Sequence, residues 1–178
     1  MSAHHELVAP SDWVCRYAPL IRAGGRVLDV ACGGGRHARV LAGLGLRVEA
    51  VDRAAEVLGG LAGVAGVTVR VADLENGPWP YAGEQFDGVI VTNYLHRPLY
   101  PRLLAALAPD GALIYETFAV GNERFSRPSN PAFLLKPGEL LELARGRLHV
   151  IAYEDLYVEA PQPAMVQRIC AVNRTAGA

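Results

Sequence analysis

Apolar residues along this chain fall into two alternating kinds of segment. Short Val-rich runs occur at 26–31 (RVLDVA), 47–52 (RVEAVD), 67–73 (VTVRVAD), 86–94 (FDGVIVTNY) and 111–118 (GALIYETF). Runs of this length, bounded by turn residues, read as buried strands. Between them the spacing is helical. His37, Val40, Leu41 and Leu44 recur at three and four residues, and Gly45 stands where a helix C-cap belongs. Tyr100, Leu103, Leu104 and Leu107 form a second stripe, ended by the turn residues Pro109, Asp110 and Gly111. Strands alternating with helices imply βαβ units, and hence a parallel sheet with helices on both faces.

The two ends of the chain depart from that rhythm. The stretch PSDWVCRYAPLIR offers Ser11 or Asp12 as an N-cap and predicts a leading helix within a segment 1–22. After the fifth strand, 119–136 holds two prolines and no periodicity, and a connection that long inside a compact domain is usually functional or disordered. A helix is expected next, with Pro137 at its start, Glu139 and Glu142 early, Arg145 late and Gly146 as its stop. Two further strand-like runs, 147–156 and 164–173, are joined by YVEAPQP. That link is too short for a parallel crossover, so the pair is expected to be antiparallel.

Composition narrows the class. The chain has 178 residues, 51% apolar but only 7% aromatic, which suits one domain, 1–178, with a core of Val, Leu and Ala. No apolar run approaches the roughly 18 residues of a membrane span, and the first residues lack a signal-peptide pattern. The expectation is a cytoplasmic protein without a membrane partner. A net charge of −1 with no charge blocks argues against nucleic-acid binding. Cys15, Cys32 and Cys170 are far apart with no metal-like spacing, and are expected to be reduced thiols, with no metal site. His4 and His5 are expected to lie in a mobile terminus.

Candidate chemistry centres on DVACGGGRHA (29–38). From Gly33 it satisfies the dinucleotide pattern G-x-G-x-x-A, at the turn from first strand to first helix. Gly33 and Gly35 would let backbone approach a ligand without an intervening Cβ. Asp52 ends the second strand 19 residues beyond Gly33, where an acid can accept from ribose hydroxyls; it could equally cap the helix beginning RAAEVL. Together these features point to a nucleoside-bearing ligand. A nicotinamide-dependent oxidoreductase is one alternative, and a non-catalytic cofactor-binding scaffold is another. Against nicotinamide stand Asp29 inside the first strand, the short chain, and the absence of Tyr-x-x-x-Lys, since Lys136 is the only lysine and Ala132 stands four residues before it.

The stretch VLDVACGGGRHARVLAGLGLRVEAVD resembles the first motif of class I S-adenosylmethionine-dependent methyltransferases. VADLEN resembles their adenine-binding segment, FDGVIVTNYLH their fourth-strand motif, and LAPDGALIYETF their Pro-x-Gly turn and fifth strand. Within that superfamily CGGGR, the compact size and FLLKPGELLELARGRLHVIAYED are most similar to the small tellurite-resistance-type methyltransferases. The resemblance implies a single-domain, Rossmann-like, doubly wound α/β sheet of seven strands in order 3-2-1-4-5-7-6, with strand 7 antiparallel. It implies S-adenosyl-L-methionine as cofactor, S-adenosyl-L-homocysteine as product, and a small-molecule methyl acceptor.

Carried onto these residues, the resemblance assigns Asp29 to the glycine loop and the methionine amino group. Ala31, Gly33 and Gly35 would pass beneath methionine and ribose. Asp52, with Arg53 beside it, would take the ribose, Asp73 and the Leu74 backbone the adenine, and Asn93 the methionine end. The sulfonium methyl is already activated, so the protein supplies mainly alignment and desolvation for in-line transfer. An acceptor that loses a proton would need a base. His96 is the leading candidate, followed by Tyr94 and Glu116, whereas His37 shares an apolar stripe and reads as a packed histidine. The 119–136 loop is expected to be an acceptor lid. Arg97, Arg124 and Arg127 would face an anionic acceptor, with Tyr100, Phe118 and Phe125 as apolar walls. The fourth-strand motif lacks paired prolines, which argues against DNA or glutamine as acceptor. A monomer or homodimer is expected.

Overall fold

The structure, a computed structural model, describes residues 9–174. His4 and His5 fall outside them. Seven strands form one sheet: β1 (Arg26–Val30), β2 (Arg47–Asp52), β3 (Val67–Val71), β4 (Phe86–Thr92), β5 (Leu107–Phe118), β6 (His149–Val158) and β7 (Ala164–Val172). Their order is β3-β2-β1-β4-β5-β7-β6, with β1 to β5 parallel and β7 antiparallel to both of its neighbours. This is the order that the resemblance implies. The reversal in order between β1 and β4 opens a crevice beyond the strands' carboxyl ends.

Five helices cover the sheet: α1 (Asp12–Tyr17), α2 (Arg36–Gly43), α3 (Ala55–Leu58), α4 (Tyr100–Ala105) and α5 (Glu139–Ala144). Because strand side chains alternate, each strand feeds two cores. Val27, Val48, Ile90 and Ile114 meet Trp13, Leu41 and Leu61 on one face. Leu28, Val89, Leu113 and Tyr115 meet Leu103 and Leu140 on the other. Trp13 is buried and donates through Nε1 to the Ile169 carbonyl at 3.2 Å, so α1 is seated across β7. Burying an aromatic of that size contributes about 3 kcal/mol. Ser11 caps α1, its hydroxyl accepting from the Trp13 and Val14 amides.

Local differences from the sequence pattern have simple causes. β1 stops at Val30 because Ala31 takes a left-handed conformation (φ 51°). The Pro109–Gly111 turn lies inside β5, where the Asp110 amide and the Gly111 carbonyl pair with Asn173. The 119–136 segment is ordered by turns Asn122–Arg124 and Pro131–Phe133 and by an Ala119–Leu135 bridge. Among the described residues, no helix is long and apolar enough to cross a membrane.

Candidate active site

A cleft of about 260 Å³ opens at the carboxyl ends of β1 to β4. Its walls are Ala31, Asp52, Arg53, Ala72, Asp73, Leu74, Glu75, Asn93 and Tyr94. Six of these were expected from sequence; Ala72 and Glu75 were missed, and Tyr94 had been read as a catalytic candidate. Two walls are made by backbone in a shape that side chains disfavour. Ala31 and Asn93 both have positive φ, at 51° and 52°. Such conformations persist only where surrounding bonds hold them, and the Asn93 amide is held by the Glu116 carbonyl at 2.9 Å.

The glycines divide their work. Gly33 has φ 53°, and a Cβ built there would meet open space. Its amide donates to Asp52 Oδ2 at 2.9 Å, so the loop after β1 is tied to the end of β2. Gly35 is different. A Cβ there would fall 2.4 Å from the Leu61 side chain, so its bareness serves the packing of α2 against that leucine rather than approach to a ligand.

The carboxylates also differ from the sequence expectation. Asp52 accepts from the Gly33 amide through one oxygen and the Ala54 amide through the other at 3.0 Å. It shapes the loop in addition to facing the cleft. Asp73 accepts from the Glu75 and Asn76 amides and from Asn76 Nδ2. Those bonds pull its carboxyl below the usual range, and its lone pairs serve its own turn rather than standing open. Asp29 lies off the cleft wall, 1% exposed on the α2 side of β1. Neither of its oxygens has a hydrogen-bond partner, and burial pushes its pKa up to about 7.

The candidate bases separate. Tyr94 is on the cleft, but burial and the neighbouring Glu75 carboxylate push its phenol well above its ordinary value. It stays protonated and is not available as a base. Glu116 is not on the cleft. It is buried on β5, accepting from the Ser11 hydroxyl at 2.8 Å and paired with Arg168. His96 is half-buried at the N-cap of the 3-10 turn Arg97–Leu99, past the cleft rim. His37 is a packed histidine: Nε2 accepts from the Ser11 amide at 3.0 Å, Thr92 Oγ1 lies 3.3 Å from Nδ1, and burial lowers its pKa to about 4.

Two expected acceptor residues are committed elsewhere. All three guanidinium nitrogens of Arg97 are bonded, to Glu139 and to the Ala132 and Leu134 carbonyls. Tyr100 donates to Glu139. Both brace the protein, and four of the five Arg97 N–H groups are taken by those bonds. Arg124 bonds the Gly121 carbonyl and lies over Phe125, which packs against Tyr157 with ring centroids 5.0 Å apart. Arg127 is exposed and Phe118 half-buried. Tyr157 was missed because nothing in the spacing of β6 couples it to residue 125.

The fit of the cleft to a cationic nucleoside is testable on these atoms. Asp29 is an orphaned buried carboxylate that a nearby ammonium would satisfy. Gly33 leaves open space above the loop, and acids close the far end of the cleft. The residues present fit S-adenosylmethionine.

Residues 27–111 match a family described as a methyltransferase domain. No curated protein sequence matches the chain. TehB from Haemophilus influenzae is 17% identical and superposes with a TM-score of 0.79 over 94% of this chain, which spans 63% of that structure's length. The N-methyltransferase NodS from Bradyrhizobium japonicum is 15% identical (TM-score 0.71, 91% of this chain and 93% of that one). A SAM-dependent methyltransferase from Methanosarcina mazei is also 15% identical (TM-score 0.67, 94% and 99%).

Proposed function

We propose that this chain, whose residues 27–111 match a methyltransferase-domain family, is an S-adenosylmethionine-dependent methyltransferase that transfers the methyl group in line to a small-molecule acceptor. The observation that carries the reading is the cleft between β1 and β4, with left-handed backbone at Ala31, Gly33 and Asn93 and acids at its far end. S-adenosylmethionine, when bound, supplies a methyl group already activated by the sulfonium charge. What this chain's residues supply is alignment and exclusion of water. Asp29 holds the ammonium, Asp52 and Arg53 the ribose, and Leu74, with Asp73 or Glu75, the adenine. Glu75 joins that set because it lines the cleft while Asp73 is bonded into its own turn.

On the acceptor side, the ordered 119–136 segment forms a wall carrying Phe125 and Arg124, backed by Tyr157. An apolar face beside a guanidinium suits a small acceptor with an anionic group. His96 is the proposed base where the acceptor loses a proton, and a thiol or an oxyanion would need none.

Thermal melting tests the cofactor directly. S-adenosylhomocysteine at ~100 times its dissociation constant stabilises the folded state by about 2.7 kcal/mol, so a clear rise in Tm is expected, with none from NAD. Stabilisation by NAD alone sinks the reading. Release of S-adenosylhomocysteine across a panel of thiols, phenols, carboxylates and metalloid oxyanions then identifies the acceptor class. Binding without turnover on any member would favour a scaffold.

A further inference from the structure

Glu139, the first residue of α5, gathers four donors on one carboxylate. Arg97 meets it with Nε to Oε1 at 2.7 Å and Nη2 to Oε2 at 2.9 Å. The Tyr100 hydroxyl reaches Oε1 at 3.0 Å, and the Lys136 amide reaches Oε2 at 2.8 Å. Burial works against the charge, yet these donors hold the Glu139 carboxyl below the usual range. Arg97 then spends two of its three other donor positions on the carbonyls of Ala132 (2.8 Å) and Leu134 (2.9 Å).

The partners come from two places. Arg97 and Tyr100 belong to the segment that leaves β4, whereas Ala132, Leu134 and Lys136 belong to the end of the 119–136 loop. The β4 segment is gripped a second time, where the Tyr115 hydroxyl donates to the Tyr94 carbonyl at 2.8 Å. Tyr94 is itself a wall of the cofactor cleft. The Tyr115 and Tyr100 rings meet edge to face at 6.4 Å. One ion pair, with side chains 35% and 14% exposed, therefore spans from the cofactor side of the molecule to the proposed acceptor wall. A two-pronged Arg–carboxylate contact fixes direction as well as distance, which a lysine or an apolar contact would not.

We propose that Arg97 and Glu139 are positioning residues for the methyl acceptor. They touch neither substrate, and they set the spacing between segment 93–100 and loop end 131–136. This rests on the reading of 119–136 as the acceptor wall.

The test compares R97K, E139Q and the charge-reversed pair R97E/E139R with wild type. Amide hydrogen exchange at 133–136 should quicken about tenfold or more in the single variants, since local opening is governed by the bonds that remain. The reversed pair should recover part of that protection. Affinity for S-adenosylhomocysteine should stay within about twofold, while KM for the acceptor found in the panel rises about fivefold with little change in kcat. Unchanged exchange overturns the clamp. Faster exchange with unchanged KM overturns its positioning role, and so does a large loss of S-adenosylhomocysteine affinity. F125A leaves the clamp intact and reports on the wall alone. Unchanged acceptor KM in that variant removes the wall reading on which the proposal rests.

Discussion

At the carboxyl ends of β1 to β4 non-glycine residues themselves take left-handed shapes, whereas beyond β5 the chain is held in place chiefly by bonds from its side chains. On the first side, Ala31, Gly33 and Asn93 are left-handed within a few residues of their strands. Asp52 pins one of them through a single amide bond. On the second side, Asn122 is fully buried and holds three groups: the Ser126 and Pro128 carbonyls through Nδ2, and the Met165 amide through Oδ1. Glu139 and Gln167 play similar parts, Gln167 accepting from the Leu140 amide and donating to the Lys136 carbonyl. A site for one invariant ligand can be built from short-range backbone geometry. A wall that suits a particular acceptor can vary by exchanging its braces.

That contrast can be broken experimentally. The largest effect is expected from Asn122→Ala, which removes a buried side chain and leaves three part-buried backbone groups without their partner, and should cost about 2–4 kcal/mol. Chemical denaturation measures it, and S-adenosylhomocysteine affinity should hold. A parallel loss of that affinity would mean that the two sides are not independent.

Next come the glycines. Gly35→Ala places a methyl group against Leu61 in a left-handed position and should lower stability by about 2–3 kcal/mol. Gly33→Ala meets open space, so only the backbone term of about 1 kcal/mol applies. Cofactor affinity should respond in the reverse order, with Gly33→Ala the more harmful. Calorimetric titration of both variants with S-adenosylhomocysteine would sharpen the division of labour.

Asp52→Ala removes the anchors of Gly33 and Ala54 and should weaken cofactor binding about tenfold, or ~1.4 kcal/mol. Unchanged affinity would mean that the ribose is held elsewhere.

The smallest effect concerns pH. Asp29 is raised from 3.8 to about 7, so the folded state binds the extra proton in that window and stability falls as pH rises through it. His37 is lowered from 6.5 to about 4, so the unfolded state binds the extra proton and stability rises with pH over nearly the same window. The two oppose, and the wild-type Tm should change little between about pH 4 and 7. Asp29→Asn should uncover a Tm that climbs toward neutral pH, and His37→Gln one that declines. Identical profiles in both variants would refute the assignment.

The fold was legible because its signals are local and repeated. The alternating Val-rich and helical segments place every strand, and the seven-residue link forces the final antiparallel pair. The glycine loop, Asp52 and the Asp73–Leu74 step were legible for the same reason, since each stands at a strand end whatever the rest of the chain does. Glu116 and Arg97 were misread because a residue type says what a side chain can bond, not which partner arrives first. Glu116 lies at the carboxyl end of β5, yet Ser11, 105 residues before it, and Arg168, 52 residues after it, take its oxygens.

By itself, then, the sequence determined the strands, the glycine turn after the first of them and the final antiparallel pair, all consequences of period, turn chemistry and link length, while the sheet order and the cofactor class came from its resemblance to methyltransferases. Only the tertiary structure decided that Gly35 serves Leu61, that Asp73 bonds its own turn, and that Arg97 is a brace rather than a hand held out to substrate. Those outcomes depend on which groups packing brings within about 3 Å, and N–H groups already bonded to a carboxylate and to carbonyls are not open to a ligand.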